Sequence, residues 1–193
     1  MRGRVAFLVL FLLGSVGFCE VQISRMFVRG ENFYISLRTF PPQELNPFRM
    51  LEMSGFLEVG YHIRVFKKVV FPELDIFLTN VIIRYEIARD YLNSGYVAAI
   101  WYGGDFAYKR WFETDESLLR FIYRLDNFRV FTFKNPKADD YFYLEIIQYF
   151  DSSKNPETKG DVVGPFFRSL FGLRYEFSPV RSRVFNRDGI FNE

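Results

Sequence analysis

The chain has 193 residues, with 25 Lys and Arg against 23 Asp and Glu, one His and one Cys. Aromatic residues make up 20 % of it, led by 25 Phe and 12 Tyr, a content that suits strands and large packed side chains and excludes disorder. Basic and acidic residues are interspersed, so no electrostatic footprint for nucleic acid exists, and a single His beside a single Cys excludes the ordinary zinc, copper and iron sites.

The N-terminus carries the strongest signal. Arg2 and Arg4 precede the apolar run Val5–Leu13, and Gly14-Ser-Val-Gly-Phe-Cys19 follows. A basic start, a short apolar stretch and a small-residue exit make residues 1–19 a secretory signal peptide. From Val5 to Cys19 the stretch falls short of the ~20 apolar residues of a spanning helix. Export to the periplasm or beyond is the expectation. Cleavage after Gly17 and cleavage after Cys19 both leave small residues at the required positions. Lipidation of Cys19 is the third option and the one route to a membrane anchor; Phe18 stands against it, since a small residue normally precedes a lipidated cysteine. Without Arg2 and Arg4 the balance is 23 basic against 23 acidic residues, so the formal +2 belongs to the leader. A mature chain, residues 20–193, can hold no internal disulfide and must be stabilised by burial. Its length is that of one domain.

Val21–Val28 reads as a first strand and Arg29-Gly30-Glu31 as a hairpin turn. Phe33, Ile35 and Leu37 alternate with polar residues in a second strand, stopped by Pro41-Pro42. A short helix follows, starting near Asn46 because Pro47 is tolerated only in a first turn, with Gly55 after its end. Leu57, Val59, Tyr61, Ile63 and Val65 alternate through a long strand. Phe71-Pro72-Glu73 turns the chain, and Phe77 to Ile87 alternates again; β-branched and aromatic enrichment favours a strand there over a helix from Ile76 to Leu92. Tyr96–Tyr102 and Phe106–Phe112 flank the Gly103-Gly104 break as a hairpin.

Thr114 opens the best helix signal: it can cap, Asp115 and Glu116 occupy the first turn, and Leu118, Leu119, Ile122 and Leu125 share one face. Asp126-Asn127 ends it. Val130–Lys134 and Tyr141–Phe150 read as a second hairpin about a polar turn. A loop over 151–164, a short helix over 165–171 and a last strand over 173–177 complete the chain. The expectation is one antiparallel β-sandwich of about seven strands with two or three short peripheral helices, favoured over a closed barrel such as an outer-membrane one, because the Thr114 helix interrupts the strand succession.

Chemistry is thinly supplied. His62 is the sole histidine and lies mid-strand, and no serine stands in a Gly-x-Ser-x-Gly context. Asp139, Asp140 and Asp151 could serve a carboxylate calcium site but lack loop-like metal spacing, and read as solvated turn residues. Glu58, Glu86, Asp105, Glu113 and Glu145 could pair as glycosidase carboxylates, yet with Arg64, Arg84 and Lys109 they read as cross-strand ion pairs. No cofactor and no catalytic residue is expected. The binding candidate is the aromatic cluster Trp101, Tyr102, Phe106, Tyr108 and Trp111, which holds both tryptophans; exposed aromatics on strands seat a partner's side chain or a sugar. The competing assignment places these rings in the core or under a helix.

Three stretches resemble a family of exported bacterial proteins, the domain of unknown function 4390. They are Gly55-Phe-Leu-Glu-Val-Gly-Tyr-His-Ile-Arg-Val65, Ile83-Arg-Tyr-Glu-Ile-Ala-Arg-Asp-Tyr91 and Phe112-Glu-Thr-Asp-Glu-Ser-Leu-Leu119. Glu86 and Ala88 depart from that family's pattern, and Phe171–Pro179 lacks its terminal tryptophan. The resemblance implies an exported, β-rich module and carries over no catalytic residue. A non-enzymatic envelope protein that binds a protein or envelope component is therefore expected. The alternative is a carrier of a lipid-like ligand, which a cavity of ~300 Å³ or more lined by Phe and Tyr would favour. Two carboxylates ~5–9 Å apart across a cleft would favour a hydrolase.

Overall fold

The computed structural model describes residues 20–41, 45–69, 74–133, 137, 140–152 and 174–188. The expected signal peptide, Cys19, Asp139, the expected turn at Pro72 and the expected helix over 165–171 lie outside them. The chain folds as two antiparallel sheets with two short helices, consistent with a β-sandwich. Its elements are β1 (Glu20–Arg29), β2 (Asn32–Phe40), α1 (Pro47–Ser54), β3 (Phe56–Lys68), β4 (Ile76–Asp90), β5 (Gly95–Tyr102), β6 (Asp105–Phe112), α2 (Asp115–Ile122), β7 (Arg124–Thr132), β8 (Tyr141–Asp151), β9 (Arg174–Glu176) and β10 (Val180–Arg181). The larger sheet runs β10-β8-β3-β4-β5-β6, with β9 also on β8; the smaller runs β1-β2-β7. Ten strands form among the described residues where about seven were expected; β9 and β10 are two pieces of an interrupted strand over 174–185 that follows β8 and bridges it again at Phe142 and Phe185.

Central strand β3 explains the layering. Its inward row Leu57, Val59, Tyr61, Ile63 and Val65 is buried and registers with Phe150, Gln148, Ile146 and Leu144 of β8 and with Ile87, Tyr85 and Ile83 of β4. That apolar face requires a second layer. The small sheet supplies it through Phe33, Ile35 and Leu37 of β2. Phe33 stacks on Phe185 with centroids 3.7 Å apart, and Phe131 and Phe133 close on Phe142 at 5.5 and 5.6 Å.

The helices cover what the small sheet leaves bare at one end. Asn46 caps α1 through bonds from Phe48 N and Arg49 N, Pro47 stands at its first turn, and Gly55 ends it at φ 72°. Thr114 and Ser117 cap α2 reciprocally, and Phe121 lies on Tyr85 and Phe112 at 5.0 and 4.9 Å.

Two expectations are corrected. The Thr114 helix ends at Ile122, so Leu125 belongs to β7, where Leu37 of β2 pairs with it. The expected hairpin from Val130 to Phe150 does not form: β7 pairs with β2 and β8 with β3, in opposite layers. Leu125, Val130 and Phe133 seek the same core as β8 but approach it from the other side.

One buried polar contact ties the layers. Tyr61 Oη donates to the carbonyl of Ile122 at 2.8 Å, meeting an orphan acceptor at the end of α2. With its proton so committed, Tyr61 Oη accepts from Thr39 Oγ1 of β2 at 3.3 Å. Replacing Tyr61 with Phe takes the buried hydroxyl partner from Thr39 and leaves the Ile122 carbonyl only the longer 3.4 Å bond from Gln148 Nε2, so urea unfolding should show a loss of about 1–3 kcal/mol with an unchanged m-value.

Candidate functional site

The five aromatic candidates lie on the β5–β6 hairpin, turned by Gly103 and Gly104 at φ 61° and 106°, the paired left-handed conformations of a two-residue hairpin turn. Alternation then divides the cluster between two faces. Trp101, Phe106 and Trp111 stand on the outer face of the large sheet, Tyr102 and Tyr108 on the inner one. A bulge between Ile100 and Trp101 places Phe106 opposite Trp101, with centroids 5.3 Å apart at 73°. Four of the five rings are exposed: Tyr102 36 %, Phe106 49 %, Tyr108 44 % and Trp111 47 %. Trp101 is half-buried under Arg84, whose guanidinium carbon sits 4.9 Å from the ring centroid. That contact suits cation–π attraction, and Glu86 holds the same guanidinium at 3.2 Å. Burial and the neighbouring Tyr108 phenol push Tyr102 up to about 12, so it stays a neutral donor across the physiological range.

The exposure has a structural cause. β6 is the edge strand of its sheet, and only Phe112 at its end is buried. Tyr102 alone reaches the small sheet, meeting Phe128 of β7 at 5.6 Å. A Cβ at Gly95 would fall 2.5 Å from the Phe112 carbonyl oxygen and 2.9 Å from the Trp111 indole. The absent side chain therefore lets Trp111 lie over the start of β5. Gly95→Ala should cost about 1–3 kcal/mol in unfolding free energy and shift the tryptophan emission, because backbone and indole must both move.

The acidic candidates do not converge on a cleft. Arg64–Glu145 at 3.3 Å is a cross-strand pair, as expected, whereas Glu86 is held by Arg84 of its own strand. Lys109 enters no ion pair among the described residues. Glu58, Asp151 and Glu86 stand abreast on the outer face in register, a row that the sequence did not suggest. Glu58 is 2 % exposed and accepts Tyr149 Oη at 2.8 Å. The Tyr149 ring lies over Gly60, where a Cβ would come within 2.3 Å of it. A glycine in mid-strand was the available signal for that close approach. Asp140 is bound by Lys67, and that hydrogen bond holds its carboxyl below the usual range. Among the described residues no group of three or more His, Cys, Asp or Glu is placed to share a metal ion.

His62 lies on the outer face, its Nε2 3.2 Å from Asn80 Nδ2. Burial first and Arg64 second lower its pKa below the usual value of 6.5. The unfolded chain therefore binds the proton more readily than the folded one, and stability must fall as pH drops through the ordinary histidine range. Between pH 7.5 and 5.5 the urea midpoint of His62→Gln should fall less than that of the wild type.

Three grooves of about 480, 600 and 530 Å³ open on the surface. The 600 Å³ groove, between β4 and β7, is lined by Phe131, Phe133 and Phe142 but by no tyrosine. No described helix is long and apolar enough to cross a membrane. Comparison with protein-family profiles, with curated proteins and with solved structures finds no match, so the site rests on its own residues.

Proposed function

We propose that this chain is an exported, non-catalytic protein of the cell envelope that binds a protein or envelope component through the β5–β6 hairpin. The observation that carries the reading is the exposure of Phe106, Tyr108 and Trp111 on an edge strand. Large aromatics are the side chains that dominate binding energy where a partner desolvates them, and they lose few rotamers on binding. Lys109 stands between Phe106 and Trp111 on the outer face of the hairpin and equips the rim to select an acidic neighbour. Export follows from the leader over residues 1–19, and the resemblance to the family of unknown function points the same way; both stand as proposals. The carrier alternative has one foothold, the Phe-lined groove between β4 and β7.

The test replaces Phe106 and Trp111 together with Ser in the native host. Retention of the protein on the envelope fraction should fall at least tenfold in protein that remains folded, with an unfolding loss of no more than about 1–2 kcal/mol, because both rings are about half exposed and pack only on the outer face of the sheet. Undiminished retention overturns the hairpin assignment. Sequencing the isolated protein's N-terminus should find residues 1–17 or 1–19 removed; an intact Met1 in a cytosolic pool overturns export.

A further inference from the structure

Scattered along the chain, five arginines meet on one surface, the outer face of the small sheet. Alternation turns Phe33, Ile35 and Leu37 of β2 into the core and leaves Tyr34, Arg38 and Phe40 on the other side. Register sets Arg25 opposite Ser36 and Arg29 opposite Asn32 on the β1 side. On the β7 side Arg129 stands opposite Tyr34 and Arg124 opposite Arg38. All five arginines are exposed. Strands lie about 4.8 Å apart and six residues extend about 20 Å, so the patch measures roughly 20 by 10 Å.

Charge on this face is poorly compensated. Its acids are Glu20 and Asp126, with Glu31 in the β1–β2 turn. Asp126 takes Arg124 at 2.7 Å, whereas Arg25, Arg29, Arg38 and Arg129 enter no ion pair among the described residues. Arg25 lies over Phe27 at 4.7 Å, and Phe27 stacks on Tyr34 at 5.1 Å. Arg38 and Arg124 oppose each other directly across the β2–β7 ladder. Like charges so placed cost a sheet stability, and an anion set between the two guanidiniums turns that cost into attraction.

A broad anionic surface suits this array. Guanidinium forks match phosphate oxygens two hydrogen bonds at a time. A nucleic-acid strand asks for rings open to its bases, and Phe27 and Tyr34 turn theirs on each other. A protein partner asks for a centre cleared of charge, and here guanidiniums stand over and around the ring pair. A lipid surface needs only a cationic face and an apolar side chain for the boundary below the headgroups. Phe40, 51 % exposed, stands two residues beyond Arg38 on the same face. We propose that the outer face of the small sheet docks on a membrane surface bearing anionic phospholipid, where Arg25, Arg29, Arg38 and Arg129 take headgroup phosphates. The aromatic hairpin belongs to the other sheet, so the inference stands without it.

The test uses the protein isolated from its host and vesicles of phosphatidylcholine, alone or with an equal part of phosphatidylglycerol. Sedimentation should show binding at least tenfold tighter to the phosphatidylglycerol vesicles, and added salt should release it by screening exposed charge. Arg25→Gln, Arg38→Gln and Arg129→Gln together should weaken that binding at least tenfold without lowering the urea midpoint. Wild type and variant share one N-terminus, so any contribution of the leader cancels. Phe106→Ser with Trp111→Ser should leave vesicle binding unaltered, which separates this face from the hairpin. Equal binding to both vesicles, or undiminished binding by the arginine variant, overturns the proposal. So does tighter binding to a single-stranded oligonucleotide or to polyglutamate than to the phosphatidylglycerol vesicles.

Discussion

Three strands cannot cover six. At about 4.8 Å per strand, the β1-β2-β7 layer is roughly half as wide as the sheet beneath it, whose apolar inner face nevertheless has to leave water. The small sheet sits over β10, β8 and β3, where Phe33 meets Phe185 and Phe131 meets Phe142. Beyond β3 the small sheet reaches Tyr102 of β5 through Phe128, and most of the cover must come from elsewhere. At one end α1 and α2 provide it, with Phe48 against Tyr96 at 5.5 Å and Phe121 between Tyr85 and Phe112. At the other end nothing described provides it, and β4 stands bare from Ile76 to Ile82. The exposure of the β5–β6 hairpin and the bare stretch of β4 are consequences of this mismatch in width.

The Tyr61 contact fixes where the narrow layer rests. A phenol rooted in β3 donates to the last carbonyl of α2 and receives the hydroxyl of Thr39 in β2, so one side chain sets the position of a helix and of the small sheet together. Thr39 N also donates to the carbonyl of Tyr123, just past that helix, at 2.9 Å. Buried polar groups joined in this way discriminate one packing from its near neighbours, because any slip leaves each of them without a partner. The surrounding aliphatic residues supply most of the burial energy and little of the register.

The outer face obeys different rules. Phe66 stacks on Tyr143 at 5.1 Å, Arg181 lies 3.7 Å above the same tyrosine, and Arg84 lies over Trp101. Cations laid over aromatic rings let a sheet present large side chains on its solvent side. The β5–β6 hairpin grows out of that surface. Trp101 is its rooted ring, held by Arg84 and Phe106, and Trp111 is its free one.

The aromatic hairpin was legible as a cluster because both tryptophans and the Gly103-Gly104 break are adjacent in the chain. Its division between two faces was legible only in part, since the bulge near Ala107 shifts the alternation. The exposure of its rings was not legible at all: it depends on β6 lying at an edge, and edge position is a property of the assembled sheet. The Glu58–Asp151 neighbourhood was hidden for the same reason, its members standing 93 positions apart yet directly opposed.

Local pattern placed most of the strands, though not 124–129 of β7 or β10, and it marked where Asn46 and Thr114 begin helices and where glycines reverse the chain, because pleat, cap and positive φ act within a few residues. It could not settle which strand lies beside which. Val130–Lys134 and Tyr141–Phe150 look like a hairpin in sequence, yet β7 and β8 occupy opposite layers in space, and β4 outruns β5 by seven residues. Pairing partners are chosen by burial of distant apolar faces, and that choice exists only once the two sheets have met.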